Sequence, residues 1–287
     1  MGTVWEIDFY SRPVLDENNK KLWEVVISEG TQTVAADPDQ LFRYSKFLSN
    51  TEVNSIELSK AIQEAIAQAP EPPSRIRYFR FSMQNMITRA CDQLGISVQP
   101  SRRTLALKQW MDYRKQEVYP KEEGYTDKPS PTVGAPPPAP QPLPDALIGQ
   151  QWAIVNLAAQ ELADVPEWPI DFGETFPLAL ANVEAETVIP GLVIFSSRAL
   201  PMAGWMSGLE ISDLRVEAGK PPRLILETGT ADSWIVASLN TPELQKEAEA
   251  FEVAKAKANQ VHFLAVQSDP DAESFAGFWL MQSLQLG

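Results

Sequence analysis

The 287-residue chain holds only one cysteine and one histidine. Cys91 alone excludes an internal disulfide and suits a reducing compartment. With His262 as the sole imidazole, the usual zinc ligand sets cannot be assembled. A Ser-His-Asp or Cys-His arrangement would have to use that residue, and it is lodged in the apolar run VHFLAV, where it reads as a core histidine. Glycine-rich phosphate loops of the GxxxxGK(S/T) or GxGxxG kind are missing. No apolar run approaches the ~20 residues that span a bilayer. The N-terminal MGTVWEIDFY carries neither a basic nor an apolar leader pattern, which predicts a cytoplasmic protein. Histidine, cysteine and glycine-loop chemistry therefore suggest no catalytic site, metal or cofactor, and carboxylates are the one route left to an enzyme.

What is there is enough to fold. Hydrophobic residues make up 44% and charged residues 22%, so a packed core is expected. A net charge of -14 argues at first sight against a nucleic-acid partner. The distribution of that charge along the chain removes the objection. Residues 1–120 hold 15 basic and 15 acidic groups, whereas residues 121–287 hold 9 basic and 23 acidic. All the excess acid lies in the second half and the segment leading to it.

That segment, KPSPTVGAPPPAPQPLPDA, contains eight of the chain's 24 prolines and reads as an extended linker. It divides the chain into an N-terminal domain over 1–125, a linker over 126–144 and an acidic C-terminal domain over 145–287. Upstream, VWEIDFY and LWEVVISE alternate strictly around the turn residues Asp16-Glu17-Asn18-Asn19, which predicts an antiparallel hairpin with Trp5, Ile7, Phe9, Trp23, Val25 and Ile27 inward. Asn54 caps a helix that Pro70 stops, a strand runs from Arg75 to Phe81, and Ser82 caps a second helix ended by Gly95. Ile96–Gln99 is a short strand, and Pro100-Ser101 opens a basic helix to about Glu117. In the second half a helix is expected from Asp145 through Trp152, Val155 and Leu162. Strands follow at Gly191–Phe195, Leu209–Val216, Arg223–Glu227 and Ser233–Leu239. Thr241-Pro242 starts another helix, and Val261–Val266 and Ala276–Leu284 are core elements. The fold class is α/β (mixed α+β): two α/β domains, each a small mixed sheet with packed helices. A β-β-α-β string occurs in each half, either as an internal echo or as an order common to mixed domains.

The strongest signal for function is the window from Arg75 to Lys115. It holds nine cations against Asp92 and Asp112, a local net of +7, with Tyr78, Phe79, Phe81, Trp110 and Tyr113 interleaved. Single-strand recognition pairs cations for phosphates with flat rings for bases. The candidate RNA contacts are Arg75, Arg77, Tyr78, Arg80, Arg102, Arg103, Lys108 and Arg114. Arg102 and Arg103 would add their charge to a helix start. The alternative is a solvated basic face over core aromatics, and strand alternation yields no clean binding face. Glu6, Asp8 and Glu24 share one face of the hairpin. Three acids so placed could hold Mg²⁺ for phosphodiester hydrolysis, or could simply pair with Arg12 and its neighbours.

WEIDFYSRP (Trp5–Pro13) and VQPSRRTLAL (Val98–Leu107) closely resemble the Tab-type RNA-binding translation activators of cyanobacteria and chloroplasts. The likeness extends through Val118-Tyr119-Pro120, Glu123-Gly124-Tyr125, ALIGQQWAIV and IPGLVIFSSRALPMAGWMSGLE (Ile189–Glu210). The resemblance implies binding to leader regions of messenger RNAs for photosystem reaction-centre proteins, notably PsaB, with support for translation and assembly at the thylakoid surface. A start directly at the domain looks like a cyanobacterial member. The family also ends near a Trp-Leu-Leu tripeptide, here Trp279-Leu280-Met281, a candidate interaction motif. Two other functions remain open: a scaffold for photosystem assembly that recruits proteins through the acidic half, and a metal-dependent nuclease.

Overall fold

The computed structural model describes residues 2–127 and 138–286. The chain divides into two compact units, the first built mainly from residues 1–30 and 39–136, the second from 31–38 and 137–285. Most of the expected polyproline linker, residues 128–137, lies outside the described residues.

The first unit contains one five-stranded sheet. Strands β1 (Val4–Leu15) and β2 (Lys21–Glu29) form the expected hairpin, with Ile7 opposite Ile27 and Phe9 opposite Val25. Asp16 closes its turn, accepting the amides of Asn18 and Lys20 at 2.8 and 2.9 Å. A third strand that the pattern did not announce, β3 (Arg43–Leu48), extends the sheet beside β2. Helix α1 (Ser55–Gln68) follows, its first amides at Ile56 and Glu57 taken by the Asn54 side chain. Strand β4 (Arg75–Tyr78) then runs parallel to β1, helix α2 (Gln84–Asp92) returns, and β5 (Ser97–Pro100) lies parallel to β4. The strand order is β3-β2-β1-β4-β5.

One face of this sheet is apolar. Trp5, Ile7, Phe9, Val25, Ile27, Ile76 and Tyr78 pack there against Leu58, Ile62 and Ala65 of α1 and Ile87 and Ala90 of α2. The other face bears charge and is covered by helix α3 (Leu105–Tyr113), which crosses β1 and β2. Two helix starts differ from expectation. A 3-10 turn over Phe81–Met83 precedes α2, so Ser82 is not its cap. Ser101 is held to the sheet by its amide, which donates to the Tyr78 carbonyl at 2.9 Å, and α3 begins only at Leu105.

The second unit has two sheets where one was expected. In the smaller, β6 (Gln141–Pro142), the downstream end of the proline-rich segment, pairs with β12 (Asp232–Ser238). β12 pairs in turn with β11 (Arg223–Thr228), and β11 with β10 (Ile211–Glu217). The larger sheet is built from β7 (Gln151–Ala158), β8 (Ile170–Glu174), β9 (Val188–Phe195), β13 (Val261–Gln267) and β14 (Phe275–Gln282). Its order is β7-β9-β13-β14-β8. β7 replaces the helix expected from Asp145. Gly149-Gln150 interrupts any helix, and Gln151–Ala158 finds a full antiparallel partner in β9, from Gln151 opposite Phe195 to Ala158 opposite Val188. Helices α4 (Ala199–Ser207) and α5 (Pro242–Lys257) complete the unit, and the Thr241 hydroxyl accepts the Leu244 amide at 3.3 Å. Met202, Met206, Leu214, Leu226, Phe251, Leu264 and Trp279 form the core shared by both sheets and both helices. Gly204–Ser207 lie in α4, with Met206 buried. The β-β-α-β order recurs in both units, but in the second its last strand joins a different sheet from the first two.

Candidate nucleic-acid interface

Alternation along β1 sends Glu6, Asp8 and Arg12 to the face beneath α3, and Glu24 of β2 joins them there. All four are buried. Ionised carboxylates in such a place need matched partners. Asp8 receives Arg12 Nη2 at 3.0 Å and Arg80 Nε at 2.8 Å. Glu24 receives Arg12 Nε at 3.1 Å, the Tyr119 hydroxyl at 2.6 Å, and Arg114. Glu6 accepts the Leu107 amide at 2.8 Å. Burial alone would raise the Asp8 carboxyl, but the charges of Arg12 and Arg80 outweigh it and hold it below the ordinary carboxylate range. The three acids are thus occupied by guanidinium groups, a phenol and an amide, as the pairing alternative anticipated. Among the described residues no group of acids, histidine or cysteine is placed to hold a metal ion.

The cationic window is divided by this network. Arg77 and Tyr78 are each 1% exposed and Arg114 is 6% exposed, so three of the eight expected contacts lie inside the unit. Arg114 sits among Trp110, Tyr119 and Phe47 with its charge spent on Glu24. Arg80 is nearly buried as well, stacked 3.9 Å from the Tyr10 ring while it binds Asp8. Arg75, Arg102, Arg103 and Lys108 are half-buried and reach the surface. Arg102 and Arg103 occupy the turn before α3 rather than its first helical positions, and the Ser101 hydroxyl accepts the Arg103 amide at 3.0 Å. Lys108 pairs with Asp112 one turn on. Arg43, on the strand that has no sequence signature, is exposed and belongs to the same α3 side through Trp110.

In the second unit Trp279, Leu280 and Met281 lie in β14, 4%, 0% and 1% exposed. Trp279 and Met281 face the shared core and Leu280 pairs opposite Phe263, so none presents a side chain to a partner at the surface. His262 is a satisfied core histidine: Nε2 accepts the Leu214 amide at 2.9 Å and Nδ1 lies 3.0 Å from the Gln260 carbonyl. Cys91 is buried and its thiol is pushed up to about 12, far from reactive.

Known proteins match both halves of the chain. Residues 4–114 match the family model described as RNA-binding protein Tab2/Atab2 N terminal, and residues 130–282 match that of the Tab2/Atab2 C-terminal domain. The chain is 38% identical over 288 residues to a chloroplastic Protein TAB2 homolog of Arabidopsis thaliana, covering 98% of this chain and 74% of that protein. It is 36% identical over 287 residues to the chloroplastic TAB2 homolog of Zea mays, covering 98% and 71%. No solved structure matches. With both halves matched and relatives aligned along nearly its whole length, the chain belongs to the Tab2-like RNA-binding protein family.

Proposed function

We propose that the chain binds single-stranded leader regions of messenger RNAs for photosystem reaction-centre subunits and promotes their translation, acting without catalysis from the cytoplasm or the thylakoid surface. The observation that carries the reading is the placement of Arg102 and Arg103 at the edge of the charged face of the first unit. The α3 amide at Leu107 is already taken by Glu6, so a phosphate cannot use it and depends on guanidinium side chains instead. Arg75 and Lys108 reach the surface of the same unit. Among the described residues no helix is long and apolar enough to cross a membrane.

The test is RNA affinity against salt. Each neutralised phosphate contributes about 0.7 to the slope of log affinity on log salt for a single strand. Arg102→Glu with Arg103→Glu is expected to weaken binding and flatten that slope while leaving the melting profile unchanged. Salt-independent binding, or none, overturns the reading. A second reading, a protein-interaction scaffold, draws on the 23 acids against 9 cations in residues 121–287. Recovery of nascent photosystem subunits with the protein after nuclease treatment would favour it.

A further inference from the structure

The end of α3 carries a preassembled ring stack. Trp110 and Tyr113, one turn apart, lie nearly parallel, with ring centroids 5.4 Å apart and planes inclined by 9°. The guanidinium groups of Arg43 and Arg114 lie 5.2 and 5.3 Å from the centre of the Trp110 ring. Immediately after Tyr113 the helix widens into a π-helical turn, Arg114–Val118. Such turns insert a residue into the helical repeat and recur at functional sites. Here the neighbours separate: Arg114 is drawn inward to Glu24 and is 6% exposed, while Tyr113 is 51% exposed.

The surroundings of Tyr113 indicate its partner. Among the described residues of 105–118 it is the one large apolar side chain left exposed, and Lys115, Gln116 and Glu117 beside it are polar and exposed. A protein docking site would set such a ring within an apolar patch. Arg43 and Lys115 are exposed and have no ion-pair partner among the described residues. A planar face held by a second ring behind it, with cations near, matches a nucleobase and its phosphates.

We propose that Tyr113 is a stacking platform for a base of single-stranded RNA, extending the Trp110–Tyr113 stack by one ring, with Arg43 and Lys115 neutralising adjacent phosphates. This rests on the RNA-binding reading and adds a contact that the charge pattern alone did not single out. Bases within a duplex are stacked on each other and offer no free face, so the platform selects unpaired strands.

The experiment measures affinity of the full chain for a labelled single-stranded RNA 20-mer of mixed sequence by fluorescence anisotropy. It compares the wild type, Tyr113→Ala and Tyr113→Phe, with thermal melting to confirm folding. A base–aromatic stack corresponds to a loss of about 5- to 150-fold on truncation, so Tyr113→Ala should bind that much more weakly and Tyr113→Phe within about twofold of wild type. Photocrosslinking with 4-thiouridine in the same oligonucleotide should map to residues 110–115. If the wild type binds and Tyr113→Ala binds equally, the platform is overturned and the RNA-binding reading stands. If the wild type does not bind the oligonucleotide, both are overturned.

Discussion

The Glu6 carboxylate on β1 accepts the main-chain N–H of Leu107 at 2.8 Å, joining the central strand of the first sheet to the first turn of α3. The two residues are 101 positions apart in sequence. A helix N-terminus carries unsatisfied donors and a partial positive charge, which a buried carboxylate answers in one contact. The contact also fixes the surface: with α3 anchored through its first turn, the Trp110–Tyr113 pair at its other end has a defined orientation.

Replacing that carboxylate therefore tests the anchor. Glu6→Gln keeps an acceptor but removes the charge, with an expected loss of about 1–2 kcal/mol in urea unfolding. Glu6→Ala removes the acceptor as well and is expected to lose about 3 kcal/mol. RNA affinity should not rise in Glu6→Ala, measured where it remains folded. A gain would mean that phosphate enters the vacated helix start, contrary to its capture by Arg102 and Arg103.

Much of the fold was legible because it is local. The β1–β2 alternation, the Asn54 and Thr241 caps and the Gly95 stop each depend on a few adjacent residues, and each appears where the pattern put it. β7 is ambiguous in sequence because apolar residues at 152–155 and 157–158 satisfy a helical and an extended period alike. Only pairing with β9, some 40 residues away, decides between them. The site was less legible for the same reason. Counting charge from Arg75 to Lys115 treats all nine cations alike, whereas Asp8 and Glu24, far upstream, draw Arg80 and Arg114 inward. Arg43 lies outside the window altogether, on a strand with no clear alternation.

His262 supplies a pH test with a single imidazole in the chain. Its Nε2 accepts the Leu214 amide, so the folded protein requires the neutral ring with its proton on Nδ1. Asp213 Oδ1 lies 3.2 Å from the same Nε2, but that oxygen already accepts from Lys255 at 2.8 Å and from the Ser283 hydroxyl at 2.6 Å. Burial lowers the His262 pKa, and the opposing pull of Asp213 does not restore it. A histidine depressed in the folded state binds its proton more readily when unfolded. The stability it contributes is therefore present above the unfolded value of about 6.5 and is lost as pH falls below it. Between pH 7.5 and 5.5 the wild type is expected to lose more stability than His262→Gln, whose amide oxygen can still accept from Leu214. Equal pH profiles in urea unfolding would contradict the neutral assignment.

The Trp279-Leu280-Met281 tripeptide gives the sharpest contrast between packing and contact. Its three side chains are buried, and the Trp279 ring fills the space where a Cβ on Gly277 would stand. Truncating such a ring leaves a cavity between β14 and α4. Trp279→Ala is expected to cost about 3–5 kcal/mol, and Met281→Leu, which conserves volume, under about 1.5 kcal/mol. Gly277→Ala should also destabilise, because a methyl group there collides with the indole and with Ala203. In each variant RNA affinity, measured where the protein remains folded, should match the wild type. A folded Trp279→Ala protein that had lost a partner would instead make the tripeptide a recognition element, reached by an opening of β14.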